Sequence, residues 1–328
     1  MDRRTLVRGG AAALLAPALA PGLVRAQDYP HKPVRWIVPY AAGGPNDAIA
    51  RKLAEMAASR MGQPIVIDNK PGASGSVGTR ELMASAPDGY TLGIAIPDSL
   101  VSAPFILRSA RYDARSDFSP VIQIADAVGA IVARADLGAA TMVEVVRIAR
   151  QQPRAIAYAS LGPGSLPHLA MTAIEQQSQA QFTNVPYKGL APAMTDFYGK
   201  QIHLVLAPLP LAQQLVDKAV GVPVAIVGGG RTPRFAQVST LAEQGFDVPI
   251  LRSNIWVGLV GPKGLPRPVV DRWVQELTAV IQTPAFAEYL AVVGFQPTAK
   301  PPAAFQAQLA AEVAATGDLV RVIGLQPE

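Results

Sequence analysis

The sequence predicts an α/β protein of two domains, and three observations carry that expectation. Strand-like apolar runs alternate with segments of helical spacing along most of the chain. A strand, a glycine loop and a helix read over residues 34–56 recur in the same order over residues 155–175. About 300 of the 328 residues remain after an N-terminal leader, enough for two packed cores of this class.

Residues 1–26 read as an export signal rather than as part of the fold. Arg3, Arg4 and Arg8 precede an apolar run from Ala11 to Leu23 that Pro17 and Pro21 interrupt, and Val24-Arg25-Ala26 offers a cleavage point before Gln27. Asp2 to Arg8 resembles a twin-arginine signal, with a general secretory signal as the alternative. No later stretch approaches the ~18 uninterrupted apolar residues of a membrane span. The chain has no cysteine, which excludes disulfides, thiolate metal sites and a lipidated N-terminal cysteine. If the source has two membranes, the periplasm is the expected address.

The formal charge of +5 is partly the leader's. Arg3, Arg4, Arg8 and Arg25 against Asp2 give residues 1–26 a net +3, leaving the remainder near +2. Long basic runs are absent and aromatics are few, so nucleic acid is excluded as a partner.

Strands are expected at Val34–Tyr40, Ile65–Asn69, Tyr90–Ile96, Val121–Ala133, Ile156–Ser160, Phe182–Tyr187, Ile202–Ala207, Val222–Val227 and Ile255–Val260, in mostly parallel sheets. The C-terminal third is expected to close with a helix over 266–281 and two shorter ones. In "VPYAAGGPNDAIAR", residues 38–51, Gly43-Gly44 allows close backbone approach just before a helix start, where free N–H groups attract anions. "AIAYASLGPGSLPHLAMTAIE", residues 155–175, repeats the arrangement around Gly162-Pro163-Gly164-Ser165. Ligands of open α/β sheets bind at such carboxyl ends of strands. If the halves are separate domains, both loops border one cleft and clamp an anionic small molecule.

Ser165 reads as a helix N-cap, with Pro167 in the first turn, that can also offer its hydroxyl to an anion. The alternative is an exported serine hydrolase using Ser165 or Ser74 with His168, although neither serine lies in a G-x-S-x-G elbow. His168 is either a cleft-wall residue or a ligand contact. His31 and His203 complete the histidines, and their spacing fits no zinc motif. Neither a metal nor a cofactor is expected. Asp47 is expected to stabilise the first helix from its opening turn, and Asn46 or Asp47 to order water in the cleft. "NKPGASGSVG", residues 69–78, is either turn punctuation or a second backbone wall. In "VPYKG", residues 185–189, Lys188 is either solvated or attracts a carboxylate. Trp256 is expected in the core.

Taken together, "YPHKPVRWIVPYAAGGPNDAIAR", "GQPIVIDNKPGASGSVG", "APDGYTLG", "AYASLGPGSLPHLA", "VPYKGLAPAMTD" and "STLAEQGF" resemble the Bug family of periplasmic solute receptors. These are the substrate-binding subunits of tripartite tricarboxylate transporters. The resemblance implies a type II periplasmic-binding-protein fold, two α/β domains joined by crossover strands. Residues 28–124 with 253–328 would form domain 1, and residues 125–252 domain 2. It implies a non-enzymatic, monomeric receptor that holds a ligand carboxylate and serves membrane transporter subunits or a sensor. The ligand would be a di- or tricarboxylate or an aromatic acid. The matching positions are Tyr40, Ala42, Gly43, Gly44, Asn46 and Asp47 on one wall, with Ser74 and Gly75 nearby. On the other wall they are Ser160, Gly164, Ser165 and His168, then Tyr187, Lys188 and Gly189.

Two segments depart from the family pattern. Many relatives carry an aspartate after the strand that here reads "HLVLAPL", with His203 and Ala207. Ala207 cannot pair with an ammonium group, so an acid without one is expected. "IPDSLVS", residues 96–102, replaces a usually small segment bearing threonine or histidine and alters the distal pocket.

Overall fold

The computed structural model describes residues 29–228, 230–246, 254–322 and 324–327. The export signal of residues 1–26 lies outside them.

Two mixed sheets organise the chain. The first uses β1 (Val34–Val38), β2 (Ile65–Asn69), β3 (Thr91–Ala95), β4 (Phe118–Ala127), β10 (Ile255–Pro262) and β11 (Gln296–Lys300), in the order β11-β4-β10-β3-β1-β2. The second uses β5 (Gly129–Arg134), β6 (Ala157–Ser160), β7 (Thr183–Pro186), β8 (Leu204–Pro208) and β9 (Gly221–Val227), in the order β7-β6-β8-β5-β9. The single run expected over 121–133 is therefore two strands in different sheets, divided at Val128. Its apolar character is continuous because both strands are buried.

Nor are the sheets mostly parallel. β1 pairs parallel with β2 and β3, and β6 with β7 and β8, but β10 runs antiparallel to β3 and β4, and β5 to β8 and β9. The antiparallel members are the strands next to the passage between sheets and their partners. At that passage a side chain on Gly129 would lie 3.1 Å from Ile255 Cδ1 and 3.2 Å from the Ala207 carbonyl, so the chain crosses where only glycine fits easily.

The helices follow their local signals. α1 (Pro45–Met61) starts with Pro45 and Asp47 in its first turn and stops at Gly62, whose φ of 70° is left-handed. α4 (Met142–Gln151) is capped by Thr141, which accepts from the Glu144 N–H, while the Glu144 carboxylate takes the Ala140 N–H. α5 (Leu166–Ser178), α6 (Leu190–Tyr198) and α7 (Leu209–Asp217) cover the second sheet. α8 (Arg267–Ile281) ends where expected. After α9 (Pro284–Val293), however, the final helix α10 (Pro302–Val322) has 21 residues and is not short. β11 was not foreseen because its Gln-Pro-Thr-Ala-Lys sequence lacks an apolar alternation; it pairs at a sheet edge. Among the described residues no helix is long and apolar enough to cross a membrane.

Each sheet has its own core. Trp36, Leu92, Val257 and Trp273 pack about the first, while Ile131, Leu169, Ile174 and Val224 pack about the second. Trp256 is buried as expected and donates its indole N–H to Glu312.

Candidate functional site

A cleft of about 910 Å³, counted with its open mouth, lies between the two sheets. Its polar lining is Tyr40, Asn46, Asp47, Asp98 and Ser160. Most of the rest is apolar, including Leu166, Leu190, Val205, Leu206, Ile255 and Phe295. No lysine, arginine or histidine lines it among the described residues. Among the described residues, attraction for an anion therefore comes from helix starts and backbone N–H groups.

Four helices begin at this cleft, α7 among them through its cap residue Pro208. Gly44, Pro45 and Asn46 bring in the start of α1; Gly189 and Leu190 bring in that of α6; Leu166 and Pro167 bring in that of α5. The backbone N–H groups of Gly44, Asn46, Gly189 and Leu190 have no intramolecular acceptor among the described residues. The loops before α1 and α6 meet directly, the Ala41 N–H donating to the Lys188 carbonyl at 3.2 Å. A flat anion between these two starts would find several donors on the backbone alone.

The start of α5 is different because its own neighbours take its donors. Ser165 Oγ accepts from the Leu161 N–H (3.1 Å), Ser160 Oγ from Gly162 (3.2 Å) and His168 Nδ1 from Gly164 (3.0 Å). The first helical N–H, that of Leu166, donates to Asp98 Oδ1 at 2.8 Å. Asp98 comes from the other sheet's side, on a π-type turn over Asp98–Ser102 after β3. Its residue is only 4% exposed, and burial pushes its carboxyl up to about 7 against the lowering effect of the Leu166 N–H.

Asp47 also lines the cleft but is saturated. Its carboxylate accepts from the Gly43 N–H (3.0 Å), from Arg51 Nε (3.0 Å) and from Asn69 Nδ2 (2.9 Å). Burial opposes ionisation, yet the bonds from Arg51, Gly43 and Asn69 prevail and hold it below the usual carboxylate range. It thus fixes the loop as well as the helix start.

Of the sequence-derived positions, Tyr40, Gly44, Asn46, Asp47, Ser160 and Gly189 line the cleft. Ala42, Gly43, Ser74, Gly75, Gly164, Ser165, His168, Tyr187 and Lys188 do not. Several of these brace the walls instead. Ser74 Oγ donates across the lobes to the Pro163 carbonyl at 2.5 Å, and Tyr40 OH donates to the Ser74 carbonyl at 3.2 Å. Gly75 allows close packing, since a Cβ there would lie 2.6 Å from Ser99 Cβ. Gly164, at φ 75°, faces Ile106 of the short helix α3 (Ala103–Ile106), whose Cγ1 a side chain would meet at 2.6 Å. Tyr187 OH donates to Asp196 at 2.7 Å, and the Lys188 side chain is exposed.

Ser165 occupies the N-cap position of α5, but its hydroxyl serves Leu161 rather than the helix. Neither Ser74 nor Ser165 has its hydroxyl on His168: one donates to Pro163 and the other accepts from Leu161. Asp98 was missed as a site residue. The signal was the acid inside an otherwise apolar segment, "IPDSLVS". It also weakens the argument from Ala207, because Asp98 brings to the same cleft the carboxylate that position 207 lacks.

The sequence matches the tripartite tricarboxylate transporter family receptor over residues 49–325. A protein from the tcbD-tcbE intergenic region of Pseudomonas sp. strain P51 is 30% identical over 300 residues, covering 90% of this chain and 87% of that one. The structure of periplasmic binding protein BugD superposes with a TM-score of 0.84 at 31% identity, covering 92% of this chain and all of BugD. The R. palustris protein Rpa4515, solved with adipate, gives a TM-score of 0.83 at 28% identity over 92% of this chain and all of that one.

Proposed function

The chain belongs to the tripartite tricarboxylate transporter receptor family, and from that premise we propose that it is a periplasmic receptor for a small organic acid. The acid's carboxylate sits between the starts of α1 and α6, on the N–H groups of Gly44, Asn46, Gly189 and Leu190. The observation that carries this reading is that, among the described residues, these four donors have no acceptor and no cationic side chain lines the cleft beside them. The adipate bound by Rpa4515 supports a carboxylic acid as the ligand class.

Residues 28–124 with 253–328 act as one lobe and residues 125–252 as the other, closing on the acid as a monomer. Contacts of the ligand with both lobes favour the shut form. Membrane subunits of a tripartite transporter, or alternatively a sensor protein, read that form. The reading is of a binding protein rather than a hydrolase, and it is supported by the Ser74 and Ser165 hydroxyls engaging backbone groups.

A thermal-shift screen on unfolded and refolded protein tests the reading, with dicarboxylates, tricarboxylates, aromatic acids and amino acids. Ligand at a hundred times its Kd raises stability by about 2.7 kcal/mol. At least one acid should raise Tm accordingly, and a flat response to all four classes contradicts the proposal.

A further inference from the structure

We propose that Asp98 is a specificity-determining residue that selects a ligand with one carboxylate, an apolar body and a hydrogen-bond donor at its far end. The inference rests on the receptor reading and narrows it.

Asp98 is buried, lines the cleft and reaches the opposite lobe. Its Oδ1 holds the Leu166 N–H, so its own acid group occupies the start of α5, where a second ligand carboxylate would otherwise find a donor. Its Oδ2 has no hydrogen-bond partner among the described residues. Oδ2 is not among the fully buried unpartnered side-chain atoms, so it opens onto the cleft, where a ligand hydroxyl, amide or ammonium can donate to it.

A second carboxylate meets the opposite circumstances. Among the described residues no lysine, arginine or histidine lines the cleft to offset it, and the N–H groups of Leu161, Gly162, Gly164 and Leu166 are already taken. The space between the two ends is walled by Leu190, Val205, Leu206 and Phe295, which suit a chain of methylenes or a ring. Asp47, the other acid at the cleft, is saturated by three donors and plays no part in this selection.

The test is calorimetry on refolded protein at pH 8, where Asp98 is largely ionised. The probes are straight-chain acids of four, six and eight carbons, each with a methyl, hydroxyl, ammonium or carboxylate terminus. At the best-fitting length, the hydroxy or amino acid should bind at least tenfold more tightly than both the unsubstituted acid and the diacid. In Asp98→Asn the preference over the diacid should shrink to within threefold, because the amide removes the negative charge and offers a donor. The wild-type ranking stands as a test even if that variant does not fold. A diacid or an unsubstituted acid that equals the best donor-bearing acid overturns the inference and leaves the receptor reading intact. If no straight-chain acid of any length binds while refolded protein retains cooperative unfolding, the inference falls, and the receptor reading falls with it only when the tricarboxylic and aromatic acids of the thermal-shift screen are also without effect.

Discussion

At the start of α1 the backbone donors of Gly44 and Asn46 are unclaimed among the described residues, whereas at the start of α5 those of Leu161, Gly162, Gly164 and Leu166 are each held. Both regions are a strand, a glycine loop and a proline-initiated helix. They differ in which side chains turn back on them. Asp47 braces the first loop through Gly43 and leaves the helix start open, while Ser160, Ser165, His168 and the visiting Asp98 close the second. A repeated local pattern therefore does not make two equal anion sites. What decides the matter is how much of the loop's donor capacity the protein spends on itself.

The largest effect expected from breaking this contrast concerns Asp98. Its folded pKa of about 7 lies above the unfolded 3.8, so the native state binds the extra proton between those values. The associated stability is fully present below pH 3.8 and is lost as pH rises through 7. At 1.36 kcal/mol for each tenfold change in proton affinity, the total is on the order of 4 kcal/mol. Denaturant unfolding of the ligand-free protein at pH 5 and pH 8 should show most of that decline, and Asp98→Asn should flatten it. A wild-type curve level across this window contradicts the account of Asp98.

Gly189→Val blocks the open side of the comparison. Gly189 has an extended backbone that any residue adopts, and an added Cβ would meet only Ala41, its Cβ at 3.6 Å and its N at 3.8 Å, both ordinary contacts. The branched side chain would crowd the α6 donors without straining the fold. Affinity for the best acid should fall at least tenfold, or about 1.4 kcal/mol, with Tm nearly unchanged. Unaltered affinity would remove α6 from the binding site.

Ser165→Ala tests the closed side. It orphans the half-buried Leu161 N–H, which costs about 1–2 kcal/mol of stability. Affinity should change by less than the stability, because the hydroxyl serves the loop and not the ligand. A loss confined to affinity would restore Ser165 as a direct ligand contact. The smallest effect is expected from Ser74→Ala, which removes the bond to Pro163 between the lobes. The net value of such a bond is about 0.5–1.5 kcal/mol, and solution scattering should show a larger radius of gyration without ligand. No change in either quantity would show that this contact does not hold the lobes together.

Local signals made the fold legible. Pro45, Asp47, Gly62 and the apolar runs of β1 and β6 mark strand ends and helix starts because they act within a few residues of themselves. The strand division at Val128 was hidden because burial on both sides of it produces one apolar run. Edge strand β11 lacks an apolar alternation and was likewise invisible. For the site, the neighbourhood of the glycine loops was legible, but the direction of each hydroxyl was not. Ser160, Ser165 and His168 could have faced a ligand or their own loop, and only three-dimensional geometry decides between the two. Asp98 reaches Leu166 over 68 positions of sequence, a contact that no periodicity encodes.

The most direct measurement is a crystal structure of refolded protein with the best-binding acid from the chain-length series. The account predicts a ligand carboxylate within ~3 Å of N–H groups at the starts of α1 and α6, with Asp98 still on Leu166. A ligand carboxylate on the Leu166 N–H, with Asp98 displaced, would contradict it.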